Sequence, residues 1–77
     1  MNKVKVNLYA SLRGHVGGAP SVEVAVEPGR TAAEVLSGLG VPVEQIRILF
    51  INGRAATMSD PLKDGDSVGV FPAIGGG

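Results

Sequence analysis

The sequence has 77 residues, 44% hydrophobic and 18% charged, which is one small globular domain with a modest core. Seven Lys and Arg balance seven Asp and Glu, which argues against a generic nucleic-acid or anionic-membrane binder, since both need excess positive charge. There is no cysteine, so disulfides, thiolate metal sites, cysteine-held iron–sulfur clusters and cysteine nucleophiles are excluded.

The opening residues, Met1 to Val6, alternate and lack a long apolar stretch, so they do not read as a signal peptide. No apolar run approaches the ~20 residues a membrane helix requires. A cytosolic protein is the expectation. Val4, Val6 and Leu8 alternate with Lys3, Lys5, Asn7 and Tyr9, the period of a strand with one buried face. Residues 13–20 are glycine-rich and read as a loop. The single histidine, His15, lies there with no metal-type or nucleophilic partner nearby, so it reads as a solvated side chain. Neither glycine-rich stretch has the Lys-Ser/Thr step of a phosphate loop.

Val22, Val24 and Val26 alternate with Glu23, Ala25 and Glu27, a second strand that pairs with the first as a hairpin. Pro28-Gly29 ends it. Thr31-Ala32-Ala33-Glu34 is a capping box, with Thr31 as N-cap and Glu34 reaching back. Ala32, Val35, Leu36 and Leu39 follow at helical spacing, and Gly38, Gly40 and Pro42 stop the helix after two or three turns.

Ile46 to Ile51 is a third, more uniformly apolar strand, and Asn52-Gly53 after it is a type I′ hairpin signal. Arg54 to Ala56 forms a short return. Asp60, Asp64 and Asp66 read as turn formers, because calcium-loop spacing is absent. Ser67 to Phe71 is the last strand, with Val68 and Val70 facing in and Gly69 and Phe71 out; Pro72 stops the ladder. The order β-β-α-β-β-β gives an α+β fold, a mixed sheet of four to five strands with one short helix across one face. The first and last strands lie side by side in the centre. This is a β-grasp, or ubiquitin-like, arrangement over residues 1–72, followed by a glycine tail over 73–77.

On the third strand, if Leu49 and Ile51 face the helix, Ile48 and Phe50 face the open side of the sheet beside Phe71. An exposed Ile48, Phe50 and Phe71 patch marks a partner surface. A one-residue shift would instead put Phe50 in the core.

The end, Phe71-Pro72-Ala73-Ile74-Gly75-Gly76-Gly77, has two readings. One is a frayed terminus. The other makes the α-carboxylate of Gly77 the reactive group, with Gly75 and Gly76 bare so that the tail can enter a narrow site. Fully extended, Ala73 to Gly77 reach roughly 17 Å.

Four stretches together resemble one family. Val4 to Arg13 looks like the opening strand of the molybdopterin synthase small subunit. Ile51-Asn52-Gly53 looks like the hairpin it shares with the thiamine-pathway sulfur carrier. Leu62-Lys63-Asp64-Gly65-Asp66-Ser67-Val68 looks like their common turn. Val70-Phe71-Pro72-Ala73-Ile74-Gly75-Gly76 resembles the molybdopterin-type ending. The chain departs from that pattern in its short helix, in Ala73 where a second proline is usual, and in a third terminal glycine.

The resemblance implies a sulfur carrier, not an enzyme. An E1-like adenylating enzyme would use ATP to activate the carboxylate of Gly77, or of a preceding glycine after trimming, and a sulfur nucleophile would convert it to a thiocarboxylate. A large synthase subunit or equivalent enzyme would accept the sulfur. The molybdopterin pathway would come first and thiamine next. The chain itself would hold no cofactor and no metal, and would bind no nucleic acid and no membrane. Pro72 and Ile74 would join Ile48, Phe50 and Phe71 in the partner contact. The rival readings are a ubiquitin-like modifier conjugated to a lysine amine through the same tail, and a plain β-grasp interaction module.

Overall fold

The computed structural model describes residues 2–72. The expectations on Ile74, Gly75, Gly76 and Gly77, and on the tail as a segment, lie outside the described residues. The elements follow the expected order: β1 (Asn2–Leu8), β2 (Ser21–Val26), α1 (Ala32–Gly38), β3 (Ile46–Ile51), β4 (Arg54–Ala55) and β5 (Ser67–Pro72). They form one five-stranded mixed sheet in the order β2-β1-β5-β3-β4. β1 pairs antiparallel with β2 and parallel with β5, and β5 pairs antiparallel with β3. A parallel pair needs a long crossover, and here α1 and the strands after it supply one.

The short helix is held at both ends by its own sequence. The Thr31 hydroxyl accepts from the Glu34 amide at 3.2 Å, and the Glu34 carboxylate accepts from the Thr31 amide at 2.9 Å. At the other end the Gly40 amide donates to Ser37 O and the Val41 amide to Leu36 O, each at 3.0 Å. That pair of bonds is a Schellman motif, and it needs the left-handed φ of +84° that Gly40 adopts. Val41, thrown inward by the turn, is buried like Leu36.

Val4, Val6 and Leu8 of β1, Val68 and Val70 of β5 and Leu49 of β3 meet Ala32, Val35 and Leu36 of α1 in one core. The type I′ turn has both φ values positive, 53° at Asn52 and 79° at Gly53.

Two local expectations are corrected. A 3-10 helix over Ala10–Val16 runs into the first part of the stretch read as a loop, residues 13–20. It forms because Leu12 is a core residue with no exposure, and folding it inward winds the backbone around it. Gly17, at φ +72°, ends that turn. β5 also runs one residue further than expected. Pro72 is buried and pairs with Ile46, and a proline is tolerated as the final strand residue because its missing amide interrupts no further bond.

Candidate functional site

The helix covers one face of the sheet, so strand alternation fixes what the other face presents. Along β5, Val68 and Val70 are buried while Gly69 and Phe71 face away. Phe71 is opposite Ile48 on β3, and Gly69 is opposite Phe50. Cross-strand partners share a face, so Ile48, Phe50 and Phe71 lie together on the open side. Leu49, between them in sequence, is 5% exposed, whereas Ile48 is 43% exposed. The register with Phe50 in the core is therefore not the one adopted.

Tyr9, one residue past β1, completes the surface, and sequence reasoning missed it as a site residue. Its ring stacks on Phe71 with centroids 4.2 Å apart and planes within 4°. Phe50 meets the same Phe71 ring edge to face, at 5.9 Å and 85°. Phe71 is thus the middle ring of three. Gly69 lies under this cluster: a Cβ there would be in ordinary van der Waals contact with Tyr9 Cε2 at 3.8 Å and Phe50 Cβ at 3.9 Å. Tyr9 is still 37% exposed. The available signal was its outward place in the β1 alternation, which a polar hydroxyl made easy to read as ordinary surface.

Pro72, expected among the contact residues, is buried, so among the described residues it anchors the end of β5. The patch and the start of the tail lie at the same end of β5, since Phe71 immediately precedes Pro72.

Several of the other polar and charged side chains are occupied locally. The carboxylates of Asp60, Asp64 and Asp66 accept backbone amides of Thr57, Lys3 and Lys63 at 3.0, 2.7 and 2.7 Å. The Asp60 and Asp66 bonds close their own turns, as expected, whereas the Asp64 bond ties its turn to the start of β1. A His15 ring nitrogen lies 3.1 Å from Gln45 Oε1 on the surface. Glu34 is held below its ordinary carboxylate value, first by the Thr31 backbone amide and then by the Thr31 hydroxyl. Arg30 bridges Glu27 and Glu34 at 3.2 and 3.3 Å. Among the described residues no group of three or more His, Cys, Asp or Glu could hold a metal ion, and no helix is long and apolar enough to cross a membrane.

This arrangement offers an apolar face at the end of β5 from which the glycine-rich end of the sequence continues. No curated protein matches the chain. Among solved structures it is similar to a putative molybdopterin converting factor subunit 1 from Pyrococcus furiosus, at 26% identity and TM-score 0.76, covering 96% of this chain and all of that one. It is similar to small archaeal modifier protein 1 from Methanosarcina acetivorans, at 25% identity and TM-score 0.71, covering 100% and 98%. It also resembles a chain of the BexX/CysO complex of Amycolatopsis orientalis, at 26% identity and TM-score 0.69, covering 96% and 99%. The family model that matches spans residues 6–77, and the chain belongs to that family, the ThiS family of ubiquitin-like sulfur carriers.

Proposed function

We propose that this chain carries sulfur as a thiocarboxylate on its C-terminal glycine, in the cytosol, for cofactor biosynthesis of the molybdopterin type first and the thiamine type next. A carboxylate resists nucleophiles because of its charge. An E1-like enzyme removes that obstacle by joining the carboxylate of Gly77 to AMP from ATP, with release of pyrophosphate. A sulfur nucleophile delivered by a partner then displaces AMP, so that sulfur stands where a carboxylate oxygen stood. A second partner, corresponding to a large synthase subunit, takes the sulfur.

The observation that carries this reading is the three-ring face at the root of the tail. It gives a partner a rigid hold on the domain while Gly75 and Gly76 pass into its active site. The likeness to one subunit of a molybdopterin converting factor supports the pairing with a second subunit.

A second reading is favoured by the likeness to small archaeal modifier protein 1: a lysine amine on another protein attacks the same acyl-adenylate and leaves an isopeptide bond. Both readings need the bare tail. Gly76→Val should leave folding intact and abolish adenylation, because a misplacement of even ~1 Å at the reacting carbon costs about a hundredfold in rate. Undiminished adenylation of Gly76→Val would count against an enclosed channel for the tail.

A further inference from the structure

The chain is formally neutral, but its charges are not evenly placed. The three inner strands, β1, β5 and β3, carry Lys3, Lys5 and Arg47 and no carboxylate. The acidic residues stand on β2, on the helix and in the connecting loops.

Arg47 has a particular position. Two residues of β3, from Ile46 to Ile48, span what one step of β5, from Pro72 to Phe71, spans opposite. Arg47 is therefore the extra residue of a β-bulge, a device that re-aims a side chain. It is exposed, and it has no ion pair or side-chain hydrogen bond among the described residues. Of the other arginines, Arg13 and Arg30 are tied to their own chain, and Arg54 on the edge strand β4 is exposed like Arg47 but stands at the opposite end of the ladder from Pro72. Arg13 Nε donates to Leu8 O at 2.9 Å, and Arg30 is held by two glutamates. In sequence Arg47 adjoins Ile48, the most exposed of the large apolar side chains among the described residues, and across the ladder it borders Pro72, the last described residue of β5.

We infer that Arg47 is a recognition residue that pairs with a carboxylate on the activating partner at the mouth through which the tail enters. The inference rests on the carrier reading and names the charge of the partner surface: an apolar centre for Phe50, Phe71 and Tyr9, with an acidic rim. A guanidinium presents a flat fork that matches a carboxylate in two parallel bonds. At a rim such a pair acts mainly on the association rate and on salt dependence. An ordinary solvated arginine in the same place would affect neither.

The test uses the full chain with the adenylating enzyme of its source organism, measuring ATP–pyrophosphate exchange at low and high salt. Arg47→Glu is compared with Arg47→Gln, Arg47→Lys and Lys63→Glu. The last makes the same charge change in the turn before β5, at the end of that strand away from Pro72. Arg47→Glu should lower kcat/KM by about tenfold or more, through KM, and flatten its salt dependence, as expected of a rim charge. Arg47→Gln should show a smaller loss of the same kind and Arg47→Lys an intermediate value, while Lys63→Glu stays within about twofold. Urea midpoints close to wild type confirm that the fold survives, and Arg47→Gln carries the test if the glutamate variant does not fold. Equal efficiency for Arg47→Gln and wild type, or a loss in Lys63→Glu as large as in Arg47→Glu, would overturn the inference while leaving the carrier reading in place. An absence of exchange with wild type and every variant would overturn both.

Discussion

Replacing Phe50 by alanine separates the two faces of the sheet. Phe50 meets Phe71 edge to face at 5.9 Å on the open side. Such a pair contributes ~0.5–1.5 kcal/mol beyond area burial. Phe50 is half-buried and lies outside the core cluster, so the fold should lose on the order of 1 kcal/mol. Its neighbour Leu49 points the other way into the core, and Leu49→Ala should cost ~2–5 kcal/mol. Partner binding should rank the two oppositely. A central aromatic of a docking face costs ~1–3 kcal/mol when truncated, and ~2 kcal/mol is roughly a thirtyfold rise in Kd. Urea denaturation gives the first ranking. Titration of each folded variant into the activating enzyme gives the second. If Phe50→Ala unfolds as easily as Leu49→Ala while its Kd stays at the wild-type value, the open face is not a docking face.

Thr31→Ala removes the N-cap of a two-turn helix and should cost ~1 kcal/mol in chemical denaturation. Because Glu34 is held below its ordinary value, its contribution is fully present above the unfolded carboxylate pKa and is lost as pH falls through the lower folded value. Glu34→Gln should therefore flatten the stability profile on the acid side of about pH 4.3 and leave its shape near neutrality unchanged. Gly53→Val forces a β-branched side chain to the left-handed φ of +79° and should cost ~1–2 kcal/mol, read from the melting midpoint. Deleting Gly76 and Gly77 should change stability by less than ~0.5 kcal/mol, because the core lies within Val4 to Val70 and glycine adds no side chain to it.

The parts of the fold that were legible are those where one local rule acts alone. Alternation in β1, β2 and β5, the capping box at Thr31 and the Asn52-Gly53 turn each specify their structure without help from distant residues. Leu12 was not legible, because a single leucine between a strand and a glycine-rich stretch has no periodic partner, and only the assembled core shows the hole it fills. Val41 and Leu62 are core residues of the same kind, delivered by loops. At the site, Ile48, Phe50 and Phe71 followed from strand parity, but Tyr9 did not. Its role depends on the parallel pairing of β1 with β5, which places its ring on Phe71 from more than sixty residues away in sequence. The bulge at Arg47 was equally invisible, since it arises from the register of β3 against β5 and no sequence signal marks it.

The central claim concerns one carbon atom, the carboxylate carbon of the terminal glycine. Intact-mass measurement after incubation with the activating enzyme, ATP and a sulfur donor addresses it directly. The carrier account predicts a gain matching the replacement of one oxygen by sulfur, located by fragmentation on the peptide that ends in Gly75-Gly76-Gly77, and dependent on ATP. An unchanged carboxylate with every activating enzyme of the source organism, together with no isopeptide adducts in its extracts, would contradict the account and leave a domain that binds partners without carrying sulfur.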